Sequence, residues 1–212
     1  MKPSDIMSLS PIVPVIALEN PDHALPLAEA LLEGGIAVME ITLRTSAALE
    51  SITRIASEFA QMNVGAGTVI NAQGFADAMN AGGSFAFSPG ISAEILDYSI
   101  EYGYPLIPGV ATASDIMMAL NRGFDHCKLF PATVAGGIEA LKAFSGPFAS
   151  VRFCPTGGVN GDNFIDFLSL SNVACVGGSW IVPQNLIREQ RFTQIKHLCQ
   201  EAYHRMEEHG LR

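Results

Sequence analysis

Residues 124–132, "FDHCKLFPA", place Lys128 in the middle of a short apolar run. It is one of only four lysines in 212 residues, and lysine is almost never fully buried unless something compensates its charge. A second ionisable group, Glu40, is set in the same way within "IAVMEITL", residues 36–43. A solvated lysine, with a pKa near ~10.4, holds almost no free amine at neutral pH. Desolvation penalises an ammonium, and a lysine relieved of its proton is a nucleophile that attacks carbonyls to form a Schiff base. A neighbouring carboxylate partly opposes that effect, yet it supplies the proton shuttle that making and breaking a carbinolamine requires. The alternative for such a pair is a purely structural buried ion pair.

What these two groups can do depends on the elements that carry them. Apolar, β-rich runs recur at "VPVIAL" (13–18), "IAVMEITL" (36–43), "VGAG" (64–67), "FAFSPG" (85–90), "PLIPG" (105–109), "HCKLF" (126–130), "VRFCP" (151–155) and "VACVGG" (173–178). Stretches of helical periodicity such as "ALPLAEALLEGG" and "ILDYSIEYG" lie between them. Gly35, Gly83, Gly103 and Gly123 are placed to end helices, and Asp22, Ser46, Asn71, Ser92 and Thr112 to cap helix starts. Phe192, Ile195, Cys199, Ala202 and Met206 form one apolar stripe on a final helix. Strands without apolar/polar alternation are buried on both faces, the mark of a parallel sheet. Eight of them alternating with helices, with no linker or composition shift, predict an α/β chain folded as a single (β/α)8 TIM barrel over 1–212. Residues 1–12 precede the first strand as a short segment covering the barrel bottom. A doubly wound open sheet is the runner-up; it would show fewer strands and one glycine-rich fingerprint.

In such a barrel chemistry sits at the C-terminal ends of the strands. Those ends are Glu40 to Arg44, Gly67-Thr68, Ser88 to Gly90, Pro108-Gly109, Lys128 to Pro131, Thr156 to Gly158 and Gly177 to Ser179. Alternation puts His126 and Phe130 on the Lys128 face, and Val38 and Thr42 on the Glu40 face. Arg44 suits a carboxylate, since its planar fork binds both oxygens, or is a surface arginine opening a helix. Thr68 and Thr156 can donate hydroxyl hydrogen bonds or cap helices. The loops "TGG" (156–158) and "GGS" (177–179) follow strands seven and eight, where these barrels hold phosphate, so Gly157, Gly158, Gly178 and Ser179 are phosphate candidates. Turn chemistry alone also places glycines there. His126 reads as a satisfied core histidine, and Trp180 as packing beneath the last loop.

Several function classes are excluded. A formal net charge of −9 argues against nucleic acid or anionic membrane as partner. No apolar run approaches a membrane span, and the first fifteen or so residues lack the build of a signal peptide. Cys127, Cys154, Cys175 and Cys199 show no CxxC pair or metal spacing, so they read as free thiols in a cytoplasmic protein. No metal motif, Walker A loop or Rossmann fingerprint is present, and no metal or other cofactor is expected.

The blocks "EITLRT" (40–45), "GAGTV" (65–69), "SPG" (88–90), "IPGVAT" (107–112), "KLFPA" (128–132), "RFCPTGGV" (152–159) and "VGGSW" (176–180) together resemble the 2-keto-3-deoxy-6-phosphogluconate (KDPG) aldolase family. The same family is described as 4-hydroxy-2-oxoglutarate (KHG) aldolase. The resemblance runs in order from about residue 12 to the C-terminal helix. It implies a metal-free class I aldolase in a homotrimer of barrels, with Lys128 as the Schiff-base lysine and Glu40 as general acid/base. It further implies that Arg44 and Thr68 hold the pyruvate carboxylate, that Pro89 and Phe130 shape its pocket, and that Thr156 lies beside the substrate hydroxyls. Gly157, Gly158, Gly178 and Ser179 match the phosphate end. One departure is Thr133, where relatives often carry an acidic residue.

The expected reaction is cleavage of KDPG to pyruvate and glyceraldehyde 3-phosphate, with KHG to pyruvate and glyoxylate as a further activity. Small-molecule keto acids and sugar phosphates are then the partners. The galactonate-series substrate is the alternative within the family, although Thr156 favours the gluconate series. Outside the family, the alternatives are a non-covalent phosphosugar isomerase or epimerase and a silent sugar-phosphate-binding barrel.

Overall fold

The computed structural model describes residues 1–211. Eight strands form in the eight predicted runs: β1 (Ile12–Ile16), β2 (Val38–Thr42), β3 (Asn63–Gly67), β4 (Ala86–Phe87), β5 in two pieces (Leu106–Ile107 and Gly109–Val110), β6 (His126–Leu129), β7 (Arg152–Pro155) and β8 (Val176–Gly178). β5 breaks at Pro108, which has no N–H to give to a ladder. All pairings are parallel and run β5-β4-β3-β2-β1-β8 on one side and β5-β6-β7 on the other. Bridges Phe153↔Val173 and Thr156↔Gly177 join β7 to β8, so the sheet closes on itself as the predicted barrel.

Among the described residues ten helices surround it: α1 (Pro3–Ser8), α2 (Ala24–Glu33), α3 (Ala48–Glu58), α4 (Ala72–Asn80), α5 (Ala93–Tyr102), α6 (Ala113–Leu120), α7 (Gly137–Ser145), α8 (Phe164–Leu168), α9 (Gln184–Arg188) and α10 (Phe192–Glu208). The apolar stripe of α10 is buried at Ile195, Cys199, Ala202 and Met206, and α1 buries Ile6 and Met7. Side-chain caps form where the sequence predicts them at Asn71, Ser92 and Thr112. Thr112 and Asp115 cap each other's backbone N–H groups, at 3.2 and 2.9 Å.

Three local expectations are corrected. Asp22 lies inside a 3-10 turn that Asn20 caps, and its carboxylate instead takes Arg54 at 2.7 Å. Ser46 lies within a turn, and α3 starts two residues later behind Ala47, without a side-chain cap. The left-handed residue after α4 is Gly82, not Gly83.

All four cysteines are free and buried. Burial pushes the Cys127 and Cys199 thiols up to about 12, so both stay protonated at neutral pH and pack as apolar groups.

Candidate functional site

Register decides which side chains share the barrel interior. Glu40 pairs with Gly65, Thr42 with Gly67, Gly109 with Lys128, and Lys128 with Cys154. Glu40 and Lys128, 88 residues apart in sequence, meet there: Nζ lies 3.0 Å from Oε1 and 3.4 Å from Oε2. Lys128 is 4% exposed and Glu40 1%, so water screens the pair very little. The ammonium also lies over two aromatic faces, 5.2 Å from the Phe87 centroid and 5.4 Å from that of Phe130. Burial, countercharge and ring faces hold the amine at the C-terminal end of β6, where an incoming carbonyl would meet it.

Two glycines make room for this. A Cβ on Gly67 would overlap the Glu40 carboxylate, so the missing side chain is the space the carboxylate occupies. A Cβ on Gly109 would meet the backbone of Pro89 and Gly90, so the "SPG" turn leans over the strand next to Lys128. Ser88 pins that turn: its hydroxyl donates to the Gly90 carbonyl at 2.7 Å and accepts from the Gly109 N–H at 3.1 Å. Gly67→Ala is expected to leave a folded barrel in which the expected aldol cleavage is about hundredfold less efficient, because the carboxylate must move by the order of an ångström. Initial rates set beside a thermal melt check this; unchanged rates would mean that the position of Glu40 does not matter.

The remaining predicted residues spread around the same rim. Arg44 is exposed in the loop after β2, and its Nε donates to Thr42 Oγ1 at 3.2 Å. Thr68, half-buried beside Gly67, has φ of +59°, a conformation that β-branched residues rarely adopt. Pro89 and Phe130 are half-buried at the mouth. Thr156 is buried, and its hydroxyl fills the place of a Gly177 Cβ, which seats the loop after β7 against that after β8. Gly157 and Gly158 have φ of +94° and +83°, and Ser179 is exposed. Among the described residues the N–H groups of Gly157, Gly158 and Ser179 take no hydrogen-bond partner, which suits an anion. No helix starts directly after β8; a turn closes from Val182 N–H to the Ser179 carbonyl, and α9 begins later. Trp180 packs tilted against Phe164, with ring planes 38° apart and centroids 5.5 Å apart, and its ring occupies the space of a Gly178 side chain.

His126 stands apart from this group. It is half-buried at the opposite end of β6, with Nδ1 2.7 Å from the Asp125 carboxylate, lining a cavity of about 540 Å³ shared with α1. His126 is thus a hydrogen-bonded histidine, as expected, but half-buried at the barrel's end and not in the core. Thr133 sits at the mouth with its hydroxyl 3.3 Å from the Gly157 carbonyl. Phe87 is absent from the sequence reading of the site, which places Thr42 and Ser88 at strand ends but gives them no role. Phe87 has a sequence signal, since it lies two residues before Pro89 on the inward face of β4.

The family model described as KDPG and KHG aldolase matches residues 4–198. The KHG/KDPG aldolase of Escherichia coli K12 is 45% identical over 197 residues, covering 93% of this chain and 92% of that one. The structure of the KDPG aldolase of Legionella pneumophila, with pyruvate captured at low pH as a covalent carbinolamine intermediate, superposes with a TM-score of 0.94 at 47% identity. It covers 95% of this chain and 98% of its own. The KDPG aldolase of Zymomonas mobilis ZM4 with 3-phosphoglycerate gives 0.88 at 41% identity, covering 94% of each chain.

Proposed function

This chain belongs to the KDPG and KHG aldolase family, and on that premise we propose that it is a class I aldolase cleaving KDPG to pyruvate and glyceraldehyde 3-phosphate. The observation that carries the reading is the Lys128–Glu40 pair, 3.0 Å apart and buried at the mouth of the barrel. Lys128, as the free amine, attacks the C2 ketone of the substrate. The carbinolamine loses water, with Glu40 relaying protons, and a protonated imine remains. A base then takes the C4 hydroxyl proton, and Glu40 acting through a water suits that task. The C3–C4 bond breaks, its electron pair flows into the iminium, and glyceraldehyde 3-phosphate leaves. The enamine on Lys128 is protonated at C3, and water releases pyruvate and the free amine.

The other rim residues have roles in this reading. Arg44 and the Thr68 loop hold the keto-acid carboxylate, and Pro89 and Phe130 flank the carbon chain. Thr156 faces the hydroxyls, and the N–H groups of Gly157, Gly158 and the Gly178–Ser179 turn hold the phosphate. KHG, which needs only the pyruvate half and a small acid, is a second substrate. Four buried free thiols agree with a reducing cytoplasm. A homotrimer is the assembly that the family likeness supports, and Ile70, 65% exposed near the mouth, offers it apolar area.

Pyruvate release from KDPG, its galactonate epimer and KHG, measured on one preparation, tests the substrate. KDPG is expected to be fastest by about tenfold over its epimer, the scale of one hydroxyl contact. A galactonate substrate that is clearly faster would overturn the preference.

A further inference from the structure

Thr42 is 2% exposed on the inner face of β2, and its hydroxyl makes two bonds. It donates to the carbonyl of Ile16, the last residue of β1, at 2.9 Å, and it accepts from Arg44 Nε at 3.2 Å. A threonine hydroxyl has one proton and two lone pairs. Its proton is committed to the β1 carbonyl, so toward Arg44 it can only accept. Arg44 is exposed, and among the described residues its two Nη groups make no hydrogen bond or ion pair. With Nε occupied, the side-on edge of the guanidinium is closed to a ligand and the end-on fork of Nη1 and Nη2 stays open.

We propose that Thr42 is a positioning residue for substrate binding: it fixes the plane of the Arg44 guanidinium so that the end-on fork receives the keto-acid carboxylate. The inference rests on the reading of Arg44 as the carboxylate holder. An unrestrained arginine must be ordered as ligand arrives, at a cost in side-chain entropy, and the bond at Nε meets part of that cost beforehand. The restraint is anchored in the closed barrel, because the Ile16 carbonyl belongs to the neighbouring strand.

The test measures the pyruvate concentration that half-saturates borohydride trapping on Lys128. Thr42→Val, which exchanges the hydroxyl for a methyl at nearly constant shape, is expected to raise it about tenfold, the scale of a bond to a charged group, while the saturated trapping rate stays within about twofold. Thr42→Ser restores the hydroxyl and should return it to near wild type. On an Arg44→Ala background, Thr42→Val should add nothing, because its effect passes through the missing guanidinium. Thr42→Ala serves as the second hydroxyl-free variant should the valine impair folding. An unchanged half-saturation in both hydroxyl-free variants, with Arg44→Ala impaired, overturns the role of Thr42 alone. The same holds for an equal penalty with and without Arg44. If Arg44→Ala itself binds pyruvate like wild type, the carboxylate reading of Arg44 fails, and this inference with it.

Discussion

Lys128→Ala will show no cleavage above background and no pyruvate trapped by borohydride, a loss on the order of 10⁴-fold or more. Mass spectrometry of the wild-type protein after pyruvate and borohydride, with peptide mapping, should place a single reduced pyruvyl group on Lys128. Specificity of labelling follows from position: Lys142 is 56% exposed with its Glu139 partner, and Lys196 is 32% exposed with Glu33, whereas Lys128 alone is enclosed by Glu40 and two rings. Stability must be separated from chemistry, because the substitution leaves a carboxylate buried without a partner. Breaking a buried pair costs about 3–5 kcal/mol, a large part of the roughly 5–15 kcal/mol that holds a domain folded. The melting point of Lys128→Ala should therefore fall by about 10 °C. Lys128→Met combined with Glu40→Gln removes both charges and should melt closer to wild type while staying inactive. Wild-type-like turnover in Lys128→Ala, or an adduct on another residue, would end the Schiff-base assignment.

The second large effect belongs to Glu40. Glu40→Gln keeps the shape of the carboxylate and its contact with the Gly67 hollow, but it cannot carry a proton between water and the reacting centre. Cleavage should fall by about 10²–10⁴-fold, the usual contribution of a positioned acid/base. Imine formation with pyruvate should fall less, since the amine remains and solvent can relay protons slowly. The signature is the ratio: trapping that outlasts cleavage marks a shuttle. Equal, small losses in both would reduce Glu40 to a structural partner of Lys128.

Legibility from sequence follows from how each feature is encoded. Parallel strands buried on both faces appear as continuous apolar runs, so all eight could be read directly. Lys128 and Glu40 were visible because each interrupts such a run with a charge. The helix starts at Asp22 and Ser46 misled, because a capping residue type near a helix does not say which of several turns it closes. The bond from Arg44 to Thr42 and the ring of Phe87 over Lys128 arise from neighbours two residues apart on a loop or from separate strands brought level by closure. The Gly67 hollow depends on Thr42 pairing with Gly67 and not with a residue one step away, and that register is a property of the closed barrel. The β4–β5 tie through Ser88 is of the same kind.

The inner face of β3 carries Gly65 and Gly67, whose missing side chains are filled by the Phe85 ring and the Glu40 carboxylate. A strand of this kind has no room to vary. Mutational walks toward a new substrate meet a barrier at these two positions, because each first step displaces the Phe85 ring or the Glu40 carboxylate. The far wall is as tight at its glycines, since a Cβ on Gly158 would overlap Thr133 and one on Gly178 would overlap Trp180, and the exposed side chains of Thr133 and Ser179 are where room remains. Saturation libraries at 65 and 67 should return mostly impaired clones, and diversity spent at 133 and 179 should leave the barrel and its buried pair intact. The barrel thus leaves drift to a few exposed rim side chains and holds the wall around Lys128 and Glu40 fixed.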